Sequence, residues 1–262
     1  ETHFIDISPE AQGLERANEG MQNGNIKFSF ANLMYLHRPL MIVDEAHHAV
    51  TGLTRDMQQR VNPCAIIEYS ATPQMNSNTL FNVSAQELKK EEMIKLPIML
   101  AEHPTWQDAV NGAVNSRAAL EKKAKKDKEY IRPIILFQAQ QRNEEVTVEA
   151  LKKYLIDVEK ISEERIAIAT GDQRELDGIN LFDAKCPIEY VITMQALKEG
   201  WDCSFAYVFC SVANIQSATD VEQLLGRVLR MPFAKRREEP DLNKAYAHVS
   251  ATSFQQAAQA LC

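Results

Sequence analysis

The sequence predicts an α/β protein built on parallel β-sheets, and three features indicate this class. Short apolar runs rich in isoleucine and valine recur along the 262 residues, as expected of buried strands. Segments with helical periodicity lie between several of these runs. Polar residues follow some runs directly, as in LMIVDEAHH at 40–48, and the carboxyl ends of parallel strands are where α/β proteins bind ligands.

Seven apolar runs that end in polar residues, glycine or proline are predicted to be strands. The first, LMIV at 40–43, is expected to be buried on both faces, which would leave only its carboxyl end exposed. The seven runs cover residues 40–43, 64–69, 133–137, 165–169, 189–194, 207–212 and 245–249.

Two segments between the strands are predicted to be amphipathic helices. Residues 143–156 begin with Asn143 as a cap and carry apolar residues at 148, 151 and 155, which form one face. Residues 217–230 also begin with cap-type residues and carry an apolar stripe. Strands that alternate with helices favour a parallel sheet with right-handed crossovers.

The composition changes near the middle of the chain, which predicts two lobes. Residues 105–129 form a long polar-faced helical pattern that would serve as a connector or as an outer helix. Its charged end, EKKAKKDKE, is interpreted as a solvated helix face rather than a nucleic-acid patch, because acids are interleaved with the lysines. We expect a first lobe over residues 1–95 and a second lobe, including this helix, over residues 96–262.

Charge and cysteine content exclude several classes of protein. The formal net charge of −7 gives no overall attraction to a polyanion, so any nucleic-acid contact must be local. The five cysteines are never spaced as C-x-x-C, which indicates neither a disulfide framework nor a zinc ribbon. No run approaches the ~18 apolar residues of a membrane span, and residues 1–10 do not resemble a signal peptide. We expect a cytoplasmic protein with no membrane partner.

Two adjacent carboxylates after the first predicted strand suit phosphate chemistry. In nucleotide hydrolysis one carboxylate holds Mg²⁺ and a second can polarise the attacking water, and Asp44 and Glu45 could take these roles. The pair could equally be a solvated strand end or an N-cap. His47 and His48 could bind a metal with Asp44, but adjacent histidines diverge, which favours structural or coupling roles.

Polar residues also follow two later strands. The segment YSATPQ at 69–74 places Ser70 and Thr72 at the end of the second strand. The segment TMQALKEGWDC at 193–203 joins a strand end to Gly200 and Asp202. Without other information, the first segment could be a strand-terminating turn and the second a surface turn.

The segment QLLGRVLR at 223–230 places three polar side chains on one face of a helix. Gln223, Arg227 and Arg230 are separated by four and three residues, which brings them to the same side. Phosphoryl transfer needs positive charge at the γ-phosphate, and arginine supplies a planar, permanently charged fork. Two arginines on an amphipathic helix could also be ordinary surface charge.

The order of DEAHH, SATP, ALKEGWD and QLLGRVLR resembles motifs II, III, V and VI of superfamily two helicases and translocases. The EGWD and GRVLR segments and the second histidine after DEAH are most similar to the helicase subunit of type III restriction enzymes. The four motifs span residues 44–230. The resemblance implies two RecA-like lobes, the first partial and the second complete. It also implies ATP and Mg²⁺ as cofactors, and double-stranded DNA and a methyltransferase subunit as partners.

The resemblance assigns roles to residues of the first lobe. Asp44 would bind Mg²⁺, and Glu45 would orient and deprotonate the water that attacks the γ-phosphate. His47 would face the second lobe as a coupling residue. Ser70 and Thr72 would link the nucleotide state to the position of the lobes.

Residues of the second lobe receive roles in the same way. Asp202 would approach the ribose, with Gly200 allowing the tight turn. Thr193 and Lys198 would contact nucleic acid. Three side chains would reach the γ-phosphate as catalytic residues: Gln223, Arg227 and Arg230.

The sequence departs from this family at one essential point. The phosphate-binding pattern G-x-x-x-x-G-K-[ST] occurs nowhere in the 262 residues, although that loop supplies a lysine and backbone amides to the phosphates. We therefore expect a fragment that binds ATP poorly by itself, with the nuclease domain of such enzymes outside it. The alternative is a non-catalytic nucleic-acid-binding scaffold with a degenerate helicase fold.

Overall fold

The computed structural model describes residues 21–22, 25–26, 30–70, 77–141, 143–170, 173–194, 203–213, 226 and 228–250. The chain divides into two compact units, residues 1–82 and 83–262, and each is described by itself. The α/β class with parallel sheets is confirmed, because one unit contains a two-stranded parallel sheet and the other a six-stranded one. The lobes predicted over residues 1–95 and 96–262 stay a prediction.

The first unit is organised around two parallel strands, β3 (Leu40–Val43) and β4 (Ala65–Glu68). A short antiparallel pair, β1 (Met21–Gln22) and β2 (Asn25–Ile26), precedes them. The helices among the described residues of this unit are α1 (Phe30–His37), a 3₁₀ turn (Ala46–His48) and α2 (Gly52–Val61). Thr51 caps α2, since its side-chain oxygen accepts a hydrogen bond from the Thr54 amide at 3.2 Å.

The expectation that the first strand is buried on both faces is wrong. Exposed and half-buried residues alternate along β3, and Ile42 is 64% exposed. The reason is that β3 pairs with β4 alone among the described strands, whereas buried parallel strands have neighbours and covering helices. The apolar composition of β3 therefore predicted its strand conformation correctly but its burial incorrectly.

The second unit contains a six-stranded parallel sheet whose order is β5-β10-β9-β6-β8-β7. The three central strands β6, β8 and β9 are buried along their whole length, as their continuous apolar runs predict. The strands are β5 (Ile98–Glu102), β6 (Ile134–Gln138), β7 (Ile166–Ile168), β8 (Tyr190–Thr193), β9 (Ala206–Ser211) and β10 (Ala245–Val249).

All seven predicted strands are present, each within about one residue of its expected ends. The edge strand β5 was not predicted. It follows directly after Pro97, which an edge strand tolerates because one side of its backbone needs no partner.

The first described helix of the second unit is α3 (Ala85–Lys90). The helix predicted over residues 105–129 is α4 (Trp106–Ala124), and it is an outer helix of the same unit. It packs against β9 and β10, and its buried side includes Ala109, Val110 and Ala113. Thr105 caps its first turn by accepting a hydrogen bond from the Asp108 amide at 3.1 Å. The five residues that follow Ala124 leave the helix, and Glu129 among them forms ion pairs with Lys235 and Arg237.

The helix predicted to begin at Asn143 begins later, as α5 (Val148–Asp157). Thr147 is its cap and accepts from the Ala150 amide at 3.3 Å. Residues 143–146 belong instead to a loop that Gln140 closes, since its side-chain oxygen accepts from the Val146 amide at 2.7 Å. The predicted inner face is confirmed, because Val148, Leu151 and Leu155 are buried. Of the helix predicted over 217–230, only residues 226, 228 and 229 lie among the described helical residues.

β8 and β9 are consecutive in the chain but lie on opposite sides of β6. After β6 the chain first adds β7 and β8 on one side of that strand and then β9 and β10 on the other, so the direction in which strands are added reverses at β6. In open α/β sheets, ligands bind outside the carboxyl ends of the strands at such a reversal. The last residues of β6, β8 and β9 lie side by side at this position in the second unit.

Candidate functional site

The acidic pair lies at the carboxyl end of β3, in the first unit. Asp44 and Glu45 are both exposed, and the Asp44 Oδ1 atom accepts a hydrogen bond from the Glu45 amide at 2.9 Å. A carboxylate has about four acceptor positions, so this bond leaves Asp44 able to take further ligands. The backbone of Glu45 is left-handed, with φ 48° and ψ 48°, a conformation that residues other than glycine adopt at an energetic cost.

Glu45 precedes the 3₁₀ turn Ala46–His48 but does not cap it with its side chain. The side chain is instead near His47, whose Nδ1 atom lies 3.4 Å from Glu45 Oε2. The same Nδ1 atom lies 3.3 Å from Ser70 Oγ. One imidazole nitrogen thus faces both the carboxylate after β3 and the hydroxyl after β4.

Backbone hydrogen bonds hold these two strand ends in register. The Tyr69 amide donates to the Val43 carbonyl at 2.9 Å, and the Ala46 amide donates to the Tyr69 carbonyl at 3.0 Å. The parallel pairing of β3 and β4 continues in this way past the last ladder residues, Val43 and Glu68. Ser70 therefore emerges beside His47 because the strand register brings it there.

The end of β3 could hold Mg²⁺ only if a bound molecule and water supplied most of the ligands of the ion. Among the residues that the structure describes, no group of three or more His, Cys, Asp or Glu side chains could hold a metal by itself. Mg²⁺ commonly takes one or two carboxylates, with waters and substrate phosphates as its other ligands. The exposed carboxylate of Asp44 suits that arrangement, in which a nucleotide brings most of the ligands.

In the second unit, three polar side chains form a row across the carboxyl ends of adjacent strands. Gln138 at the end of β6 is in register with Thr193 of β8 on one side and Ser211 of β9 on the other. All three are buried. Ser211 donates a hydrogen bond from Oγ to Gln138 Oε1 at 2.9 Å. Thr193 was a predicted nucleic-acid residue, whereas Gln138 and Ser211 were missed.

The predicted finger Arg230 is exposed and lies in the second unit. Its backbone forms an isolated antiparallel bridge with Ile94. Gln223 and Arg227 lie outside the described residues. The same is true of four other predicted site residues: Thr72, Lys198, Gly200 and Asp202. The structure thus brings Glu45, His47 and Ser70 together, with Asp44 adjacent in the chain.

A second polar cluster lies at the far side of the six-stranded sheet, where β5 and β10 meet α4. His248 Nδ1 lies 2.9 Å from His103 Nε2, and His248 Nε2 lies 3.0 Å from Ser116 Oγ. Burial, with a smaller effect from the charge of His103, lowers the pKa of His248 from 6.5 to about 4. Gly112 makes this packing possible, since a Cβ atom there would lie 2.7 Å from the His103 ring.

Comparison with known proteins adds little to this description. No protein-family model and no curated protein matches the chain. Among solved structures, the chain is similar to an ATP-dependent Type ISP restriction-modification enzyme, LlaBIII, bound to DNA, with 13% identity and a TM-score of 0.46. The match covers 85% of this chain and 19% of that one, so this chain spans about a fifth of that protein's length. A similarity this low establishes neither fold nor function.

Within the part of the chain that the structure describes, none of the helices is both long enough and apolar enough to cross a membrane. The longest of them, α4, has 19 residues and is amphipathic, with charged residues in both its first and its last turn.

Proposed function

We propose that this chain is part of the motor of an ATP-dependent DNA helicase or translocase of superfamily two, of the kind found in type III restriction enzymes. The observation that carries the proposal is the end of β3, where Glu45 and Ser70 both face the same nitrogen of His47. The four motifs, in the order expected of this superfamily, support it from the sequence.

The proposed chemistry assigns the acidic pair to hydrolysis of ATP. Asp44 would be a ligand of Mg²⁺, which when bound neutralises charge on the β- and γ-phosphates. Glu45 would orient the attacking water and accept its proton, a role open to an exposed carboxylate that is not used as a helix cap. His47, Ser70 and Thr72 would couple the nucleotide state of this site to the position of the lobes.

The second unit would supply positive charge to the γ-phosphate and residues that contact DNA. Gln223, Arg227 and Arg230 would act at the γ-phosphate, and an arginine finger is worth roughly three to five orders of magnitude in rate. Asp202 would contact the ribose. Thr193 and Lys198 would contact the phosphates of double-stranded DNA. A methyltransferase subunit would be a second partner, and the protein would act in the cytoplasm.

One specific observation favours a second candidate function. The phosphate-binding pattern G-x-x-x-x-G-K-[ST] is absent from the 262 residues, and without such a loop the β- and γ-phosphates lack their main backbone ligands. A non-catalytic DNA-binding scaffold would need no such loop. The motor proposal therefore requires that the gene encodes this loop outside these 262 residues.

The test is ATP hydrolysis by the protein as its gene encodes it in full, with and without double-stranded DNA. We expect hydrolysis that DNA stimulates. The substitution Glu45→Gln should abolish turnover while a fluorescent ATP analogue still binds, because the glutamine side chain cannot accept the proton of the attacking water. Asp56→Asn makes the same charge change on the exposed side of α2 and should leave turnover unchanged. Full turnover by the Glu45 variant, or no turnover by the wild type, would refute the proposal.

A further inference from the structure

The second unit contains a completely buried lysine. Lys95 lies between α3 (Ala85–Lys90) and β5, and its side chain is 0% exposed. Its Nζ atom donates hydrogen bonds to the carbonyl oxygens of Ser204 at 3.0 Å and Ala206 at 2.6 Å. The same atom lies 4.0 Å from the centre of the Tyr207 ring, within the range of a cation–π contact.

The backbone around Lys95 is paired with the segment that carries Arg230. The Lys95 amide donates to the Leu229 carbonyl at 2.6 Å, and the Met231 amide donates to the Met93 carbonyl at 2.9 Å. Ile94 and Arg230 face each other between these two bonds. Arg230 thus has a hydrogen-bonded neighbour on either side, although its own side chain is exposed.

Lys95 therefore joins three segments that are distant in sequence. Its backbone holds residues 229–231, and its ammonium group holds the chain at 204–206. An ammonium group is costly to remove from water unless oxygen atoms replace its hydration. Once buried against two carbonyls it is correspondingly hard to displace, because any shift of the segment would leave charge and carbonyls unpaired.

We propose that Lys95 is a positioning residue for ATP hydrolysis, which fixes the backbone of Arg230 so that its guanidinium can reach the γ-phosphate. This inference rests on the function proposed above. Lys95 is buried among protein groups and acts through Arg230. The segment that supplies Lys95 also runs from the end of the first unit at residue 82 to the first strand of the second.

The first test is the kinetics of Lys95→Met in the full-length protein. Methionine keeps most of the apolar stem but removes the ammonium group and its hydrogen bonds to the carbonyls of Ser204 and Ala206. A misplacement of about 1 Å in a reacting group can cost roughly 100-fold in rate, so we expect kcat to fall about 10- to 100-fold. The KM for ATP should change less than about twofold, because a finger acts in the transition state.

A double-mutant cycle separates positioning from general damage. If Lys95 acts through Arg230, then Lys95→Met should cost little further activity in protein that already carries Arg230→Ala. Lys123→Met is the control that removes another lysine ammonium group, since Lys123 makes its ion pair with Asp241 and Asp241 lies outside the segments 204–206 and 229–231. The control should keep wild-type kcat.

A second variant tests the same idea without touching the buried charge. Met231→Pro removes the amide that donates to Met93, at a backbone φ of −76° that proline accepts, although it also replaces a buried side chain and keeps Arg230 extended. Met231→Leu keeps the amide and serves as its control. Met231→Pro should lower kcat as Lys95→Met does, and the Lys95 amide should exchange its hydrogen faster in both variants.

The outcomes are distinguishable. An inactive wild-type protein would refute the proposed function, and the role of Lys95 with it. Active wild type with wild-type kcat in either Lys95→Met or Met231→Pro would refute the role of Lys95 alone. Equal losses from Lys95→Met with and without Arg230 would show that it acts by another route. If Lys95→Met does not fold, the Met231 pair decides the question.

Discussion

The buried His248 predicts a definite loss of stability in mild acid. Its neutral ring lies between His103 and Ser116, and its pKa is about 4 in the folded protein against 6.5 as the ordinary value. Because the folded-state pKa is lowered, the unfolded chain binds the proton first. The contribution of His248 is complete above about pH 6.5, falls as the pH drops, and is lost by about pH 4.

The size of this effect follows from the two pKa values. Each pKa unit corresponds to about 1.4 kcal/mol, so full protonation of His248 would cost about 3 kcal/mol of the free energy of unfolding. Carboxylates with lowered pKa, such as Asp241 at about 2, lose their contribution mainly below this window. The loss between about pH 6.5 and pH 4 should therefore be dominated by histidine.

The assay is urea unfolding at a series of pH values, followed by tryptophan fluorescence. Trp106 packs edge-to-face on Tyr154, with ring centres 4.8 Å apart, so its emission reports on the second unit. The variant His248→Gln should be less stable at neutral pH, but it should lose about 3 kcal/mol less than wild type on acidification. His37→Gln, an exposed histidine, is the control and should follow wild type. Parallel pH curves for wild type and His248→Gln would refute the reasoning.

Three further substitutions test the packing that positions the second unit, each by urea unfolding. Thr105→Ala removes the cap of α4 and should cost about 1 kcal/mol, whereas Thr105→Ser should cost little. Leu155→Ala leaves a cavity under α5 and should cost roughly 2 to 5 kcal/mol, whereas Leu155→Met should cost less than about 1.5. Ser211→Ala leaves the Gln138 oxygen without this donor and should cost about 1 to 3 kcal/mol, whereas Ser211→Thr keeps the hydroxyl. If both substitutions at one position lower the free energy of unfolding equally, the contact described for that position is refuted.

The buried strands of the six-stranded sheet were predictable because a strand that is buried along its whole length has an almost continuously apolar sequence. In β6, β8 and β9 every position is buried, so apolar residues are continuous and the ends are sharp. The edge strand β5 was missed for another reason. Its sequence IMLAE begins with four consecutive apolar residues, as many as β3 has, but it directly follows Pro97, and a proline in an apolar run weakens a strand prediction.

The helices show where local signals are insufficient. The start of α5 could be placed at Asn143 or at Thr147, because both are good caps. The choice was made by Gln140, whose hydrogen bond to the Val146 amide commits residues 143–146 to a loop. The buried face of α4 is made largely of alanine and valine. Small residues bury little apolar surface each, so the helix looked more polar than its position.

The sequence predicted which residues belong to the candidate site, but it did not predict which of them lie side by side. The motifs identified Asp44, Glu45, His47 and Ser70, but only the register of β3 and β4 brings Ser70 beside His47. The buried row of Gln138, Thr193 and Ser211 was beyond sequence analysis for the same reason. Its members end three strands that become neighbours only when the connection from β8 to β9 crosses β6.

The backbone at the end of β3 bears on one alternative that the sequence left open for the acidic pair. An N-cap would use the Glu45 carboxylate within the turn. Glu45 instead adopts a left-handed conformation and makes no side-chain cap, at a cost on the order of 1 to 3 kcal/mol. Glycine would adopt this conformation without that cost. The left-handed turn directs the chain so that His47 reaches both the carboxylate and Ser70, which is the arrangement on which the proposed function rests.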